Sequence, residues 1–266
     1  MVKISVLMAT KNPQSEQLQR AIQSLLAQTE TDWELCLVDD ASADQAAAMI
    51  RRVAQQDVRI HLLVNEESHG LGAALNRALE VAQGSYLARM DDDDQSLPTR
   101  FEAQLAFLNA HPEVAFVGSN VIKFGITNDD GEIVLAAFPT AKNFLWNSPY
   151  IHPSVMFRAS ALRQVGGYRT IKAARRAEDY DLFMRMQVVG LAGANLQTPQ
   201  LRYFIDVASM RKKRLYRYRI DEFQIRKAHF KDLQLPWYRV FFEVKPLVVG
   251  LLPHGLIYSL HNKMHR

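Results

Sequence analysis

The sequence is poor in cysteine and has no long uninterrupted apolar run. Its one cysteine, Cys36, lies inside an apolar stretch, so neither a disulfide framework nor a zinc site built on cysteines can form within the chain. We expect this thiol to be buried like a small apolar residue. The first apolar run, residues 4–9, is too short for a secretory signal, and we therefore expect a cytosolic protein. What remains is a chain of 266 residues, 48% of them hydrophobic, which can bury a substantial core.

Short apolar runs alternate with amphipathic segments over the first 95 residues. The runs predict strands at residues 4–9, 33–38, 60–64 and 86–90. Helical spacing of apolar residues predicts helices between them, at about 18–26, 45–54 and 73–82. Nearly continuous apolar strands that alternate with helices are typical of a parallel sheet covered on both faces.

Polar side chains follow three of these predicted strands. Thr10 follows the first strand, Asp39 and Asp40 end the second, and the run Asp91 to Asp94 follows the fourth. Ligands of such sheets bind outside the carboxyl ends of the strands. We therefore expect the three polar loops to converge on one crevice.

Four consecutive aspartates are costly unless a cation neutralises them. Like charges a few ångström apart repel each other, and one carboxylate would be driven to bind a proton. A divalent metal that carries a phosphorylated ligand would remove this penalty. The alternative is a solvated acidic turn without a ligand.

A second acidic group stands at Glu178, Asp179 and Asp181, before an apolar helical pattern. Carboxylates are stabilised at a helix N-terminus by its free backbone N–H groups, so these residues could be helix caps and nothing more. His152 precedes them in the stretch His152-Pro153-Ser154, and a lone histidine of this kind is more often structural than catalytic.

Basic residues are concentrated between residues 202 and 231. This stretch has ten Lys and Arg residues against three Asp and Glu residues, a net charge of about +7, whereas the whole chain carries +4. The part of the chain before residue 202 therefore carries a net negative charge. A basic stretch could bind nucleic acid, anionic lipid or a pyrophosphate-bearing substrate, or could be a solvated helix face.

Apolar residues from Trp237 to Val248 recur at helical spacing, interrupted by Lys245 and Pro246. The interruptions leave no span long enough to cross a membrane. An amphipathic helix beside a basic stretch is typical of a segment that lies in the membrane interface. Packing on the domain or on a second subunit explains the pattern equally well.

Taken in this order, the motifs resemble those of the family-two inverting glycosyltransferases of the GT-A fold. The resemblance covers roughly residues 3 to 205. Besides the aspartate and Glu178-Asp179 motifs, it rests on Gly70-Leu71-Gly72-Ala73-Ala74-Leu75-Asn76, His152-Pro153-Ser154 and Gly166-Gly167-Tyr168.

The resemblance implies an α/β fold with a Rossmann-like, mainly parallel sheet. It implies a catalytic domain at residues 1–205, with a nucleotide-binding half at about 1–95 and an acceptor half at about 96–205. Residues 206–266 would then form a basic, amphipathic helical extension.

The resemblance also implies roles for single residues. Asp39 or Asp40 would accept a hydrogen bond from the uracil imide, and Asp179 would be the catalytic base. Asp91-x-Asp93 looks like the family's DxD motif, with Asp93 and Asp91 ligating Mn²⁺ or Mg²⁺. The implied nucleotide-binding residues are Thr10, Asp39, Asp40, Asn76, Asp91 and Asp92. The implied acceptor-binding or donor-sugar-binding residues are His152, Glu178, Asp181 and Arg211.

The resemblance thus implies transfer of one sugar from a UDP-sugar to a lipid-linked saccharide during assembly of a bacterial surface polysaccharide. The enzyme would act at the inner face of the cell membrane, with an anionic membrane surface rather than nucleic acid as its partner. Two departures are notable: Asp92 replaces the usual small residue within DxD, and the Q-x-x-R-W motif of processive synthases is absent. The second departure favours transfer of a single sugar.

Several alternatives remain open. The donor could be GDP-mannose, the acceptor could be a protein, and the chain could form a homo-oligomer. A catalytically silent nucleotide-sugar-binding module is the alternative from another class. A sugar nucleotidyltransferase is disfavoured, because the chain lacks the Gly-rich, Lys-containing N-terminal loop of those enzymes.

Overall fold

The structure, a computed structural model, describes residues 2–125, 131–205 and 215–251. Arg211, to which the resemblance gave a binding role, lies outside the described residues, as does the rest of the stretch from 206 to 214.

The first half of the chain forms four parallel strands linked by helices. The strands are β1 (Ile4–Thr10), β2 (Trp33–Asp39), β3 (Ile60–Val64) and β4 (Tyr86–Arg89). They pair in the order β3-β2-β1-β4. The linking helices are α1 (Ser15–Leu26), α2 (Asp44–Ala54) and α3 (Leu71–Val81). Each predicted strand and helix is confirmed to within a few residues at its ends.

Burial explains why these segments take these forms. All seven residues of β1 and of β2 are buried, as expected for strands with helices on both faces. In helix α1 the buried residues Leu18, Ala21, Ile22 and Leu25 follow the i, i+3, i+4, i+7 spacing of a helix with one apolar face. Cys36 is buried, as predicted, and burial raises the pKa of its thiol to about 12.

The second half extends the sheet with mixed pairing. The added strands are β5 (Gln95–Ser96), β6 (Phe116–Gly125), β7 (Glu132–Ile133), β8 (Met156–Arg158) and β9 (Gly193–Ile205). Strand β8 pairs antiparallel with β4 and β6, and β9 runs parallel to β6. The full order is therefore β3-β2-β1-β4-β8-β6-β9-β5, with β7 beside β6. The helices are α4 (Arg100–Ala110), α5 (Ala159–Gln164) and α6 (Glu178–Val188). Short 3₁₀ turns occupy Ala141–Leu145, His152–Ser154 and Lys172–Ala174.

Two further helices, α7 (Tyr216–His229) and α8 (Arg239–Leu251), pack on this domain. Arg226 of α7 is fully buried and donates hydrogen bonds to the carbonyls of Leu145 and Trp146 at 2.7 and 2.8 Å. Ile225 and Phe230 join the apolar core below the sheet. The described part of the C-terminal extension thus packs on the domain through buried contacts. The domain boundary at residue 205 stays a prediction.

Helix α8 has an exposed apolar face. The side chains of Trp237, just before the helix, and Phe241 are 77% and 65% exposed, and Val240, Val248 and Leu251 are exposed as well. Among the helices of the described residues, none has the length and hydropathy that crossing a bilayer requires.

Candidate functional site

A cavity of about 1050 Å³ opens beside the carboxyl end of strand β4. It is lined by Arg89 and Asp91, by Glu178 and Asp179, and by residues from segments 69–73, 150–153, 169–176 and 217–224. The candidate carboxylates from the two halves of the chain therefore share one space.

The polar loops after β1, β2 and β4 lie next to one another, but of the polar residues that the sequence predicts to share one crevice only Asp91 lines this cavity. The backbone N–H of Asp40 donates to the carbonyl of Thr10 at 2.9 Å, and the Thr10 hydroxyl donates to the carboxylate of Asp92. Strands β1, β2 and β4 are neighbours in the sheet and run in the same direction, so their carboxyl ends meet at one edge.

Three of the four consecutive aspartates form one cluster. Asp91, Asp93 and Asp94 each place a carboxylate oxygen within 4.8 Å of the others, whereas Asp92 bonds to Thr10. Asp94 is fully buried; its Oδ1 accepts a hydrogen bond from the N–H of Phe204 at 2.7 Å, and its Oδ2 has no hydrogen-bond partner among the described residues.

The electrostatics of the cluster favour a bound cation. Burial, then the charges of Asp91 and Asp92, raise the pKa of Asp93 to about 7. Burial, followed by the charge of Asp91, raises the pKa of Asp94 well above its ordinary value. Hard carboxylate oxygens are the donors that Mg²⁺ and Mn²⁺ prefer, and a divalent ion would offset the repulsion. The donor set therefore fits a divalent metal.

Arg89 supplies a fixed positive charge beneath the cluster. It is buried in β4, forms an ion pair with Asp91, and its backbone carbonyl accepts a hydrogen bond from Arg100 at 2.8 Å. Sequence reasoning missed Arg89. The available signal was a charged residue within an otherwise apolar strand that leads directly to the aspartates.

Asp39 and Asp40 shape the neighbouring loops and do not line the cavity. Asp39 accepts a hydrogen bond from the N–H of Ser42 at 2.9 Å. Asp40 accepts from the side chains of Asn65 and Ser68, at 2.7 and 2.6 Å, and from two backbone N–H groups. Burial would raise the pKa of Asp40, but these hydrogen bonds outweigh burial and lower it.

Glu178 and Asp179 begin helix α6, as the sequence predicts, and both line the cavity. Burial, then the neighbouring charge of Asp179, raise the pKa of Glu178 to about 7. Two adjacent carboxylates, one of them with a raised pKa, are thus held at one wall of the cavity, an arrangement common where protons are exchanged with a substrate.

Asp181 is not part of the cavity lining. It is fully buried and forms ion pairs with Arg169 and with Arg185, the latter at 2.9 Å, and its Oδ1 lies 2.8 Å from His229 Nε2. Burial alone would raise the pKa of Asp181, but hydrogen bonds from these partners hold it well below its usual range. The structure thus gives this carboxylate a supporting position next to the site.

His152 and Asn76 both contact Tyr168. His152 lines the cavity; its Nε2 lies 2.7 Å from the Tyr168 hydroxyl, and burial, then the charge of Arg89, keep its pKa well below the ordinary value. Asn76 exchanges two hydrogen bonds with the Tyr168 backbone, at 2.7 and 2.8 Å. Gly167 has a φ of 66°, and a Cβ there would lie 2.6 Å from Asn76 Oδ1, which explains the glycine before Tyr168.

Several other residues that line the cavity lie outside the sequence motifs. Tyr203 of β9, Arg176 before α6, and Arg217 and Tyr218 of α7 all line it. They come from segments far apart in sequence, and only their packing brings them to the carboxylates.

Comparison with known proteins points in the same direction as the geometry. The family model "Glycosyl transferase family 2" matches residues 5–166. A Bacillus subtilis protein named as a glycosyltransferase, EpsE, is 34% identical over 98% of this chain and 94% of its own length. The amylovoran biosynthesis glycosyltransferase AmsE of Erwinia amylovora is 28% identical over 97% of this chain and 98% of its own.

Solved structures share the fold at low sequence identity. S. aureus TarS 1-349 in complex with UDP-GlcNAc superposes with a TM-score of 0.67 and 17% identity, covering 94% of this chain and 71% of that one. The mannosyltransferase PcManGT of Pyrobaculum calidifontis, in complex with GDP-Man and Mn²⁺, gives a TM-score of 0.66 and 19% identity, covering 93% of this chain and 68% of that one. The architecture is therefore that of the GT-A glycosyltransferases.

Proposed function

The chain belongs to glycosyl transferase family 2, and on this premise we propose that it transfers a single sugar from a UDP-sugar to a hydroxyl group of a lipid-linked saccharide, with inversion at the anomeric carbon. The observation that carries the proposal is the shared cavity. Asp91, one of the three clustered aspartates that could hold a metal ion, and Asp179 at the start of α6 line the same space. A donor diphosphate and an acceptor hydroxyl can therefore meet within it.

In this proposal Asp91 and Asp93, with Asp94 beside them, hold Mn²⁺ or Mg²⁺. The cation, when bound, acts as a Lewis acid that stabilises the charge of the departing nucleoside diphosphate. The buried Arg89 holds Asp91 in place through its ion pair. Asp92 and Thr10 tie the aspartate loop to the end of β1 and border the nucleotide.

Asp179 is the base of the reaction. The acceptor hydroxyl must lose a proton as it attacks the anomeric carbon, and a carboxylate within hydrogen-bond reach accepts it. One displacement by the acceptor inverts the configuration. Glu178, whose pKa lies near 7, sits beside this base, and His152 contributes a neutral imidazole to the cavity wall.

UDP is the proposed nucleotide, with its uracil extending beyond the cavity lining to the loop after β2, where Asp39 would recognise it and Asp40 holds the adjoining loop. TarS, which shares the fold, is named in complex with UDP-GlcNAc, and this supports the choice. PcManGT is named with GDP-Man and Mn²⁺, so GDP-mannose is the second candidate donor.

A bacterial surface polysaccharide is the proposed destination of the sugar. AmsE is named for amylovoran biosynthesis, and it matches this chain over nearly its full length. The lipid-linked acceptor places the reaction at the inner face of the membrane. Support for contact with an anionic bilayer comes from the exposed apolar face of α8 and the basic stretch that precedes α7.

A donor-hydrolysis assay tests the proposal. UDP-glucose, UDP-galactose, UDP-N-acetylglucosamine and GDP-mannose are each incubated with the full chain and Mn²⁺, and release of the nucleoside diphosphate is measured. We expect release from a UDP-sugar that stops on addition of EDTA. Binding of every donor without release would instead favour a catalytically silent nucleotide-sugar-binding module.

A further inference from the structure

The cavity that holds the carboxylates is also lined by cations from two separate segments. Lys172, Arg175 and Arg176 precede helix α6, and Arg217 lies in the first turn of α7. Within residues 2–125, 131–205 and 215–251, none of the four forms an ion pair with a carboxylate, although Asp221 also lines the cavity one turn after Arg217. The cavity therefore has a basic part in addition to its acidic one.

Two of these arginines are held against one tyrosine. The guanidinium carbons of Arg176 and Arg217 lie 5.2 and 4.8 Å from the ring centre of Tyr218. Arg217 also donates a hydrogen bond to the Tyr218 hydroxyl at 3.0 Å. Hydrogen bonding from Arg217, then from Arg176, lowers the pKa of this phenol. Stacking on an aromatic ring restricts a guanidinium without neutralising it.

The backbone at Arg176 is in an unusual conformation. Its φ is 60°, in the left-handed region that residues other than glycine rarely adopt. Such residues persist where the surrounding structure imposes them, and they are frequent at ligand sites. Here the strained residue is one of the two arginines that lie against Tyr218.

Two guanidinium groups on one neutral phenol leave a local excess of positive charge. Like charges held together repel each other, and an anion between them removes the penalty. Arginine pairs match the geometry of phosphate oxygens, because the planar guanidinium donates two parallel hydrogen bonds. The arrangement is therefore suited to a phosphate or diphosphate group.

In the proposed function the donor diphosphate is bound by the cation that Asp91 and Asp93 would hold. Arg176 belongs instead to the segment that leads into Glu178 and Asp179, and Arg217 of α7 joins it at Tyr218. In the proposed function the base in this part of the cavity must face the acceptor. We propose that Arg176 and Arg217 form a subsite for a phosphate group carried by the acceptor, distinct from the metal-bound donor diphosphate. This inference rests on the proposed function, from which it takes the acceptor side of the cavity.

Isothermal titration of farnesyl diphosphate tests the subsite without relying on turnover. EDTA is present throughout, so that no cation can bind a diphosphate at the aspartates. We expect wild-type protein to bind farnesyl diphosphate, and Arg176→Gln and Arg217→Gln each to weaken binding about tenfold or more, as loss of a charge-assisted hydrogen bond predicts. Arg51→Gln, an exposed arginine of α2 outside the cavity lining, is the matched control and should bind like wild type.

The comparison ligands distinguish the sources of affinity. Displacement of farnesyl diphosphate by inorganic pyrophosphate supports recognition through the phosphates. Farnesol binding as tightly as farnesyl diphosphate, or unchanged affinity in the folded Arg176→Gln/Arg217→Gln protein, overturns the subsite. Neither of these results depends on donor hydrolysis, so the two proposals can fail separately. A protein that hydrolyses no donor but binds farnesyl diphosphate through the arginines would refute the proposed function and support the phosphate subsite. Circular dichroism melting confirms that the variants are folded.

Discussion

The hydroxyl of Thr10 donates a hydrogen bond to the carboxylate of Asp92, a residue 82 positions later in the chain. The bond joins the ends of two neighbouring parallel strands, β1 and β4. It also separates the roles of the four aspartates, because Asp92 is held by Thr10 while the carboxylates of Asp91, Asp93 and Asp94 face one another.

The first prediction concerns the different roles of Asp92 and of the clustered aspartates. Asp93→Ala should abolish metal-dependent binding of UDP, because it removes a ligand from a three-carboxylate set. Asp92→Asn is the matched control: the amide oxygen can still accept the Thr10 hydrogen bond, so metal-dependent affinity should stay close to wild type. Isothermal titration of UDP with and without Mn²⁺ measures both. The reverse pattern, with Asp92→Asn the damaging change, would move the metal role to Asp92.

A second prediction separates binding from chemistry. Asp179→Asn preserves the shape of the side chain but removes the base, so turnover should fall by on the order of 10² to 10⁴. The affinity for the UDP-sugar should stay near wild type, because in the proposed function the donor is bound through the aspartate cluster and its cation and not through Asp179. Steady-state kinetics and titration of UDP are measured on the same preparation. Turnover near the wild-type rate would refute the assignment of the base.

Asp181 should behave differently from Asp179. Removing a buried charge that pairs with Arg169 and Arg185 leaves two cations without their partner, at a cost of about 3 kcal/mol or more of unfolding free energy. We therefore expect Asp181→Asn to lower the urea midpoint, while Asp179→Asn leaves it nearly unchanged. Equal stability of the two variants would contradict the supporting position of Asp181.

The pKa of Glu178 predicts a pH dependence of stability. Its ordinary value is 4.5 and its value in the fold is about 7, so the folded state keeps a proton that the unfolded state releases between these limits. The stability contribution of the group is fully present below about pH 4.5 and is lost as the pH rises through about 7. Melting temperatures of wild type and Glu178→Gln, measured from pH 4.5 to 8 in EDTA, should therefore diverge, with wild type losing more on going to high pH.

The exposed carboxylate Glu67 provides the control for this experiment. The melting temperatures of Glu67→Gln should follow wild type across the whole pH range. A parallel course of wild type and Glu178→Gln would show that Glu178 does not titrate in this window.

The last prediction concerns the membrane. Trp237→Gln with Phe241→Gln should reduce flotation with phosphatidylglycerol vesicles, because the two exposed aromatic side chains would no longer insert. Point changes are preferable to truncation, since the carbonyl of Phe242 accepts a hydrogen bond from the buried Arg226. Val58→Gln, at a residue 93% exposed in a loop, is the control and should float like wild type.

Salt dependence completes the test. The attraction of basic residues to anionic lipid extends over about one Debye length, and this length shortens as the salt concentration rises. Flotation should therefore fall at high salt. Flotation that neither the double substitution nor salt reduces would assign the apolar face to contact with a protein or a second copy of the chain.

Local patterns were sufficient for much of the fold. The strand Ile60–Val64 was predicted to the residue, and the helix that begins at Glu178 was predicted from its acidic start and apolar face. Burial on both sides of a parallel sheet imposes these patterns, so a single segment carries the signal. The antiparallel insertion of β8 between β4 and β6 carried no comparable signal, because three residues, Met156–Arg158, are too few to show a period.

The sequence by itself determined which chemical groups are available: four consecutive aspartates after a strand, and a Glu-Asp pair at the start of a helix. Strand direction then dictated that Thr10, Asp39 and the aspartates share an edge, since all parallel strands end on the same side. Only the tertiary structure decided which carboxylates line the cavity and which are paired with arginines. Asp181 is paired with arginines from two segments, whereas Asp179, two residues earlier, lines the cavity, and a helix turns successive side chains to different sides. The partners that distinguish such neighbours lie far away in sequence, and packing alone brings them into contact.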